Sequence, residues 1–236
     1  MAISSTIRWT LNAAVSDARA APTRDKPALL DRTAWRDALL VWLGQRALFA
    51  FLAYFSAVLL VAPAATPHYA SWSDVFVRPW LSWDSAIFGG IARHGYVDLY
   101  ESAFYPLFPL LEHLLAPLTG GRTDVAGEVI ANLACLPAFG LLRVLAEREM
   151  NGGAARRTLL YLAVFPTAFY FSAAYSESLF LLVSVGAFVA LRRGQWWIAG
   201  ALAALATLTR PVGILLVVPM AAEYAQRLIA ARRPQA

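Results

Sequence analysis

The sequence is poor in most of what soluble enzymes and secreted scaffolds are built from. It has one cysteine, Cys135, set in an apolar stretch, so no disulfide forms within the chain and the redox compartment stays undetermined. A small buried hydrophobe is the simpler reading of that thiol. The three histidines, His68, His94 and His113, show no pairing at metal-ligand spacing. P-loop, GxSxG, HExxH and strand-borne GxGxxG patterns are all missing, which leaves nucleotide chemistry of the soluble type unsupported. Charged residues make up only 15% of the chain, against about 25% in soluble domains. Of the 20 basic residues only Lys26 is a lysine. A disordered chain, a disulfide framework and a soluble nucleic-acid binder are therefore set aside, and no cofactor or metal is expected.

What is present is apolar. Of 236 residues 59% are hydrophobic, with 8 Trp, 9 Tyr and 13 Phe, the composition of an all-α integral membrane protein. Residues 1–37 are polar and Pro/Ala-rich, as in a loosely ordered tail. Their scattered charges do not make a cleavable signal peptide. The first long apolar run is Ala38–Ala62, interrupted only by Gln45 and Arg46, and about 20 residues suffice to cross a bilayer. Further runs at 126–145, 158–176, 178–191, 195–209 and 212–226 bring the expectation to six spanning helices. They form a polytopic domain over 38–226, with a long outer loop at 63–124 and a short tail at 227–236.

Charge sorts this topology. With the N-terminus inside, sixteen of the twenty Lys/Arg fall in inner segments and four, Arg78, Arg93, Arg122 and Arg210, in outer ones, as the positive-inside rule requires. Both termini are then cytoplasmic. The net charge of +5 reflects membrane orientation rather than nucleic-acid binding. The Ala- and Arg-rich composition points to a bacterial plasma membrane.

Three clusters from distant parts of the chain then share the outer side: Trp83-Asp84-Ser85 with Glu101 behind it, Tyr175-Ser176-Glu177-Ser178, and Thr209-Arg210-Pro211. Charged side chains at membrane depth cost at least about 2.5–3.5 kcal/mol, so they persist where they line a polar cavity or meet a partner. Around Asp84 the spacing predicts a short amphipathic helix in the interface. Ser82 is placed to cap its start, Ile87, Phe88, Ile91 and Ala92 lie on one face, and Gly95 is suited to end it. Asp84 falls in the first turn, where the helix dipole favours a carboxylate. Two readings stand there, a helix-capping charge and a general base acting on a polar acceptor at the water–lipid boundary. Glu177 reads equally as an ordinary turn charge. Arg210 precedes Pro211, a position biased out of helix, and is suited either to an ion pair with Glu177 or to holding a phosphate. Arg46, Glu128 and Asn132 are a thin set of mid-helix polar groups, better explained by interhelical hydrogen bonds or interface placement than by a transport path.

The run Trp83-Asp84-Ser85-Ala86-Ile87-Phe88-Gly89-Gly90-Ile91-Ala92-Arg93-His94-Gly95-Tyr96, followed by Glu101-Ser102-Ala103-Phe104-Tyr105-Pro106-Leu107-Phe108-Pro109-Leu110, resembles the signature of the PIG-V-like mannosyltransferases. Phe171–Phe180 and Leu205–Gly213 resemble two further blocks, so the likeness covers roughly residues 80–215. The resemblance implies a GT-C glycosyltransferase that moves mannose, with inversion, from a polyprenyl-phosphate carrier to a glycan or lipid acceptor on the outer face. It makes Asp84 the expected base and gives Arg210 the carrier phosphate. Glu177 then orients a sugar hydroxyl or the arginine, and Trp83, Ser85, Glu101, Tyr105 and Tyr175 line the site. Family members are longer than this chain, which ends at Arg232-Arg233-Pro234-Gln235-Ala236. A naturally short relative, a fragment and a split enzyme needing a second membrane subunit all fit that length. The competing expectation is a non-catalytic membrane subunit or the lipid-linked-sugar-binding half of a split glycosyltransferase.

Overall fold

A computed structural model describes residues 29–59 and 78–231. The tail over residues 1–28, His68, Trp72 and Asp74 of the outer loop, and Arg232 and Arg233 lie outside the described residues. Within them every regular element is helical: α1 (Arg32–Leu59), α2 (Asp84–His94), α3 (Leu107–Leu115), α4 (Thr123–Glu149), α5 (Gly152–Val164), α6 (Glu177–Arg192), α7 (Trp196–Thr209) and α8 (Val217–Ala231), joined in part by short 3-10 turns. The protein is an all-α membrane protein.

Three stretches are long and apolar enough to cross a bilayer: Arg32–Ser56, Thr123–Glu149 and Pro211–Ile229. The other three expected spans form shorter helices. α5, α6 and α7 have 13, 16 and 14 residues, about 20 to 24 Å at 1.5 Å per residue against a hydrocarbon core of roughly 30 Å. The reason is local. α5 stops at Val164 because Phe165, extended at φ −60°, ψ 143°, precedes Pro166 and is pushed out of the helical region. The remainder of the 158–176 run is a connector with one 3-10 turn, Ala168–Phe171. At the other end α1 begins at Arg32, six residues before the apolar run, so part of the expected tail is helical.

α4 is the axis of the bundle and touches α1, α2, α3, α5 and α6. Its buried face carries Ala126, Gly127, Ala131, Ala134, Cys135, Ala138 and Gly140, small residues that let neighbouring helices approach closely, which is how packing is gained where lipid is as apolar as the side chains. At Gly140 a Cβ would lie 2.7 Å from the Trp35 ring of α1, so only glycine admits that crossing. Cys135 is a buried free thiol packed with Ala38, Phe139, Leu159 and Ala163, as its apolar setting implied. Beneath the expected site, Phe88 of α2 meets Phe104 and Phe108 edge-on at centroid distances of 5.1 and 4.9 Å. Such pairs contribute about 0.5–1.5 kcal/mol each beyond their burial, and they fix the interfacial helices α2 and α3 to one another.

Two of the basic residues assigned to the inner side are bound into networks. Arg143 of α4 meets Asp37 of α1 at 3.3 Å and Glu147 at 2.7 Å, its side chain only 6% exposed. Arg192 ties Glu149 of α4 to Glu223 of α8 at 2.9 and 3.1 Å. The ends of α1, α4, α6 and α8 are thereby clamped together, leaving the opposite end of the bundle to the polar site.

Candidate active site

The site is assembled by a backbone junction. The connector between α5 and α6 meets the turn before α2, where the Ala174 amide donates to the Trp80 carbonyl at 3.2 Å. The Tyr175 hydroxyl donates to the Ser82 carbonyl at 3.0 Å. Two distant sequence blocks are thus pinned side by side. Tyr175 is 6% exposed; burial, reinforced by the Asp84 carboxylate beside it, pushes its phenol up to about 12. It remains a neutral hydrogen-bond donor at physiological pH.

Asp84 opens α2 and is exposed. The residue preceding the helix is Trp83, and Ser82 makes no side-chain cap to it; Ser82 serves instead through its carbonyl, under Tyr175. Trp83 sits at φ 61°, ψ −116°, the one non-glycine with positive φ among the described residues. That geometry costs on the order of 1–3 kcal/mol, and the fold recovers little from it, since the indole is 77% exposed. The strained turn aims the first residues of α2. Asp84 projects into the open while Ser85, the next residue, is buried with no partner for its Oγ among the described residues. Gly95 closes α2 at φ 75° with its amide on the Ile91 carbonyl at 2.8 Å, as the sequence pattern indicated.

Glu177 opens α6, and its Oε1 pairs with Arg210 Nη1 at 2.5 Å, both groups partly exposed. Arg210 occupies an extended break at φ −152°, ψ 143°, after α7 and before Pro211, where the bias against helix before proline put it. The turn that follows, Pro211–Leu216, folds directly against α7: a Cβ on Gly213 would overlap the backbone of Ala206 and Thr207. Tyr175 lies in the field of both Asp84 and Glu177, so Asp84 and the Glu177–Arg210 pair sit around the same tyrosine.

Two expected residues lie elsewhere. The Glu101 carboxylate is 6% exposed and accepts from the amides of Val97 and Asp98 at 2.8 and 3.2 Å, as half of a capping box with Asp98. It shapes the loop that follows the C-terminal end of α2, whereas Asp84 opens that helix. Tyr105 lines a separate hollow of about 340 Å³ with Tyr96, Ser102, Phe104 and Pro106.

The sequence reading passed over Glu112. This residue of α3 is completely buried, and both carboxyl oxygens lack partners among the described residues. It fills the space that Gly127 of α4 leaves open: a Cβ there would overlap Glu112 Oε1 and approach the Ala174 methyl to 3.2 Å. Glu112 therefore lies against the underside of the connector. Burial pushes its carboxyl up to about 9, with Arg93 opposing and Asp124 reinforcing the shift, so it is neutral at pH 7. The available signal was a lone acid in the apolar stretch between Phe104 and Leu118, which is costly unless it has a purpose.

From the other side α1 holds the same connector. Gln45 Nε2 donates to the carbonyls of Ala163 and Ala168 at 3.1 and 3.4 Å, and Arg46 Nη2 donates to the Phe171 carbonyl at 2.8 Å. Among the described residues no three His, Cys, Asp or Glu side chains gather as a metal site.

Residues 47–231 match the family model described as mannosyltransferase (PIG-V). Among curated proteins, the chain is 30% identical to GPI alpha-1,6-mannosyltransferase 2 of Rattus norvegicus over 57% of its own length and 30% of that protein's. It is 31% identical to the Homo sapiens protein of the same name over 57% and 29%, and 29% identical to GPI mannosyltransferase 2 of Yarrowia lipolytica over 76% and 51%. The chain thus spans about three-tenths of the mammalian relatives it matches and half of the yeast one. No solved structure matches it. With a family match covering most of its length, on the helices and junction that carry the polar site, the chain belongs to the PIG-V mannosyltransferase family.

Proposed function

We propose that this protein transfers mannose from a polyprenyl-phosphate carrier to a hydroxyl of a glycan or glycolipid acceptor, on the outer face of the membrane and with inversion at the anomeric carbon. The observation that carries the reading is the exposed Asp84 carboxylate, held at the helix start by a strained turn beside neutral Tyr175 and the Glu177–Arg210 pair, in a chain of this family. Asp84 takes the proton of the acceptor hydroxyl as that oxygen bonds to the anomeric carbon. The bond from that carbon to the phosphate oxygen breaks, and polyprenyl phosphate departs with the electron pair. Arg210, partly neutralised by Glu177, faces the charge developing on the phosphate. Tyr175, its one O–H held by the Ser82 carbonyl, offers its neutral phenol oxygen as an acceptor to a sugar or acceptor hydroxyl. The names of the mammalian relatives point to a glycolipid acceptor and an α-1,6 linkage.

The test is transfer from labelled polyprenyl-phosphate mannose to a glycolipid panel by the purified chain in lipid vesicles. Wild type is expected to transfer. Asp84→Asn, which keeps size and removes the base, is expected to lose activity by roughly 100-fold or more while still binding donor. An Asn variant as active as wild type refutes the role of Asp84. Because the chain spans only part of its relatives' length, a second reading has it as the donor-binding half of an enzyme completed by another membrane subunit. Donor binding by wild type without transfer selects that reading.

A further inference from the structure

Among the described residues Arg46 is a charge without an anion in contact. It lies within α1, the first helix long enough to span the bilayer, half-buried against α4. Its guanidinium donates to three neutral oxygens: Asn132 Oδ1 at 2.8 Å, Gln45 Oε1 at 2.5 Å and the Phe171 carbonyl at 2.8 Å. One flank rests on the Trp42 ring, 5.0 Å from its centroid. Arg143, Arg192, Arg210 and Arg227 each meet a carboxylate within 4 Å. Arg46 meets none among the described residues, although Glu128, one turn along α4 from Asn132, acts on it from farther away. Three of its five N–H groups hold these oxygens, and the Cys135 thiol lies beside the guanidinium as a further neutral neighbour, leaving at most two for a ligand.

Its position is as informative as its charge. One turn further along α1, about 5 Å, Phe49 packs on Trp80 with ring centroids 5.9 Å apart, and the Trp80 carbonyl holds the Ala174 amide beside Tyr175. Arg46 is therefore one helical turn deeper in the membrane domain than the polar site, on the same connector. A cation fixed in the spanning region by neutral partners is expensive unless an anion meets it there. The planar guanidinium fork matches phosphate oxygens, and a phosphate carried on a lipid tail is the anion able to arrive at that depth.

We infer that Arg46 is a binding residue for a lipid-borne phosphate that enters the bundle between α1 and α4. Identifying that phosphate with the leaving group of the sugar donor rests on the proposed function; the phosphate site itself does not. Arg46 then carries much of the phosphate charge that the Glu177–Arg210 pair, already closed on itself, meets only in part.

The test uses the full chain in phosphatidylcholine nanodiscs, with a polyprenyl monophosphate, phosphatidylglycerol or inorganic phosphate as probe. Reaction of wild-type Arg46 with phenylglyoxal, read by mass spectrometry of its peptide, is expected to be suppressed by polyprenyl monophosphate and unaffected by inorganic phosphate. Arg46→Gln is expected to weaken polyprenyl monophosphate binding by roughly tenfold or more, and Arg46→Lys to restore part of it. Modification of Arg46 that is unchanged at saturating lipid phosphate overturns the inference without recourse to any variant. So does an Arg46→Gln protein that binds within twofold of wild type. Protection by phosphatidylglycerol equal to that by polyprenyl monophosphate supports the phosphate site but severs it from the donor. Protection by polyprenyl monophosphate in a chain that transfers no sugar supports the site and counts against the enzyme reading instead.

Discussion

Replacing Glu112 by Gln should stabilise the protein, by an amount that depends on pH. The folded chain keeps this carboxyl protonated up to about pH 9 because it is buried, while in the unfolded chain it ionises near the ordinary value of 4.5. At pH 7 the unfolded state therefore gains the free energy of ionising 2.5 units above its pKa, at about 1.4 kcal/mol per unit. That is a penalty of roughly 3 kcal/mol on the folded state, which Gln does not incur. The sign follows from proton linkage. Between pH 4.5 and about 9 the folded state holds one proton more than the unfolded, so wild-type stability falls as pH rises through that window. The Gln variant, which has no proton to lose there, is spared this loss. Thermal or denaturant unfolding in detergent, run for both proteins from pH 4 to 9, should show curves that coincide near pH 4.5 and diverge steadily above it. A gap that stays constant with pH refutes the claim that Glu112 is neutral in the fold. A wild type that is the more stable protein at pH 7 refutes the claim that it has no partner.

Two further substitutions probe how the site is held. Trp83→Gly relieves the positive-φ strain and should stabilise the fold by about 1 kcal/mol while lowering transfer, seen as a higher melting temperature with a lower rate; unchanged transfer would show that the exposed indole is not used. Gly213→Ala forces the 211–216 turn off the α7 backbone and should cost about 1–3 kcal/mol, with donor use impaired through displacement of Arg210. A variant as stable and active as wild type would mean that the break tolerates another path.

What the sequence made legible was local. The bounds of α2 follow from apolar spacing and from Gly95. The break at Arg210 follows from Pro211, and the grouping of Asp84, Glu177 and Arg210 at one end follows from counting charges between apolar runs. Each rests on a few consecutive residues or on a sum over a loop. Glu101 shows the limit: an acid near the expected base was read as part of the site, although the Asp98-x-x-Glu101 spacing also describes a capping box, and the structure uses it as one. The pairing of Arg46 with Asn132 across two helices matches the reading of those residues as interhelical hydrogen-bonding groups, but Glu112 and the hold of Arg46 on the connector were out of reach for another reason. An acid buried under Gly127 and a guanidinium closed on the Phe171 carbonyl are defined by residues 15 and 125 positions away, and no periodicity encodes which side chains will surround them. Helix length failed in the same way. Charge spacing located the apolar runs, but the shortening of α5 at Pro166 became visible only with the connector that replaces its second half.

That connector explains how the site keeps its shape without a dense ion-pair network. Residues 165–176 close five short-range backbone hydrogen bonds around one 3-10 turn, which shape the segment locally, while its place in the bundle is fixed from outside. Gln45 and Arg46 of α1 hold the carbonyls of Ala168 and Phe171 from the side of the spanning helices, and Trp80 and Ser82 hold Ala174 and Tyr175 from the side of the interfacial helix. Each such bond contributes about 1 kcal/mol, and more where the donor is charged. None of the four residues on the holding side is Asp84, Glu177 or Arg210. The relative placement of Asp84 and the Glu177–Arg210 pair is thus set by side chains and carbonyls at the margins of the site, and α1 has a direct mechanical hold on it through two polar residues set in its long apolar stretch. If Arg46 also meets the lipid-borne phosphate, the same guanidinium that senses that phosphate fixes Phe171, four residues before Tyr175. Phosphate occupancy and the geometry around Asp84 then share one side chain, and the loss of Arg46 should perturb acceptor use as well as phosphate binding.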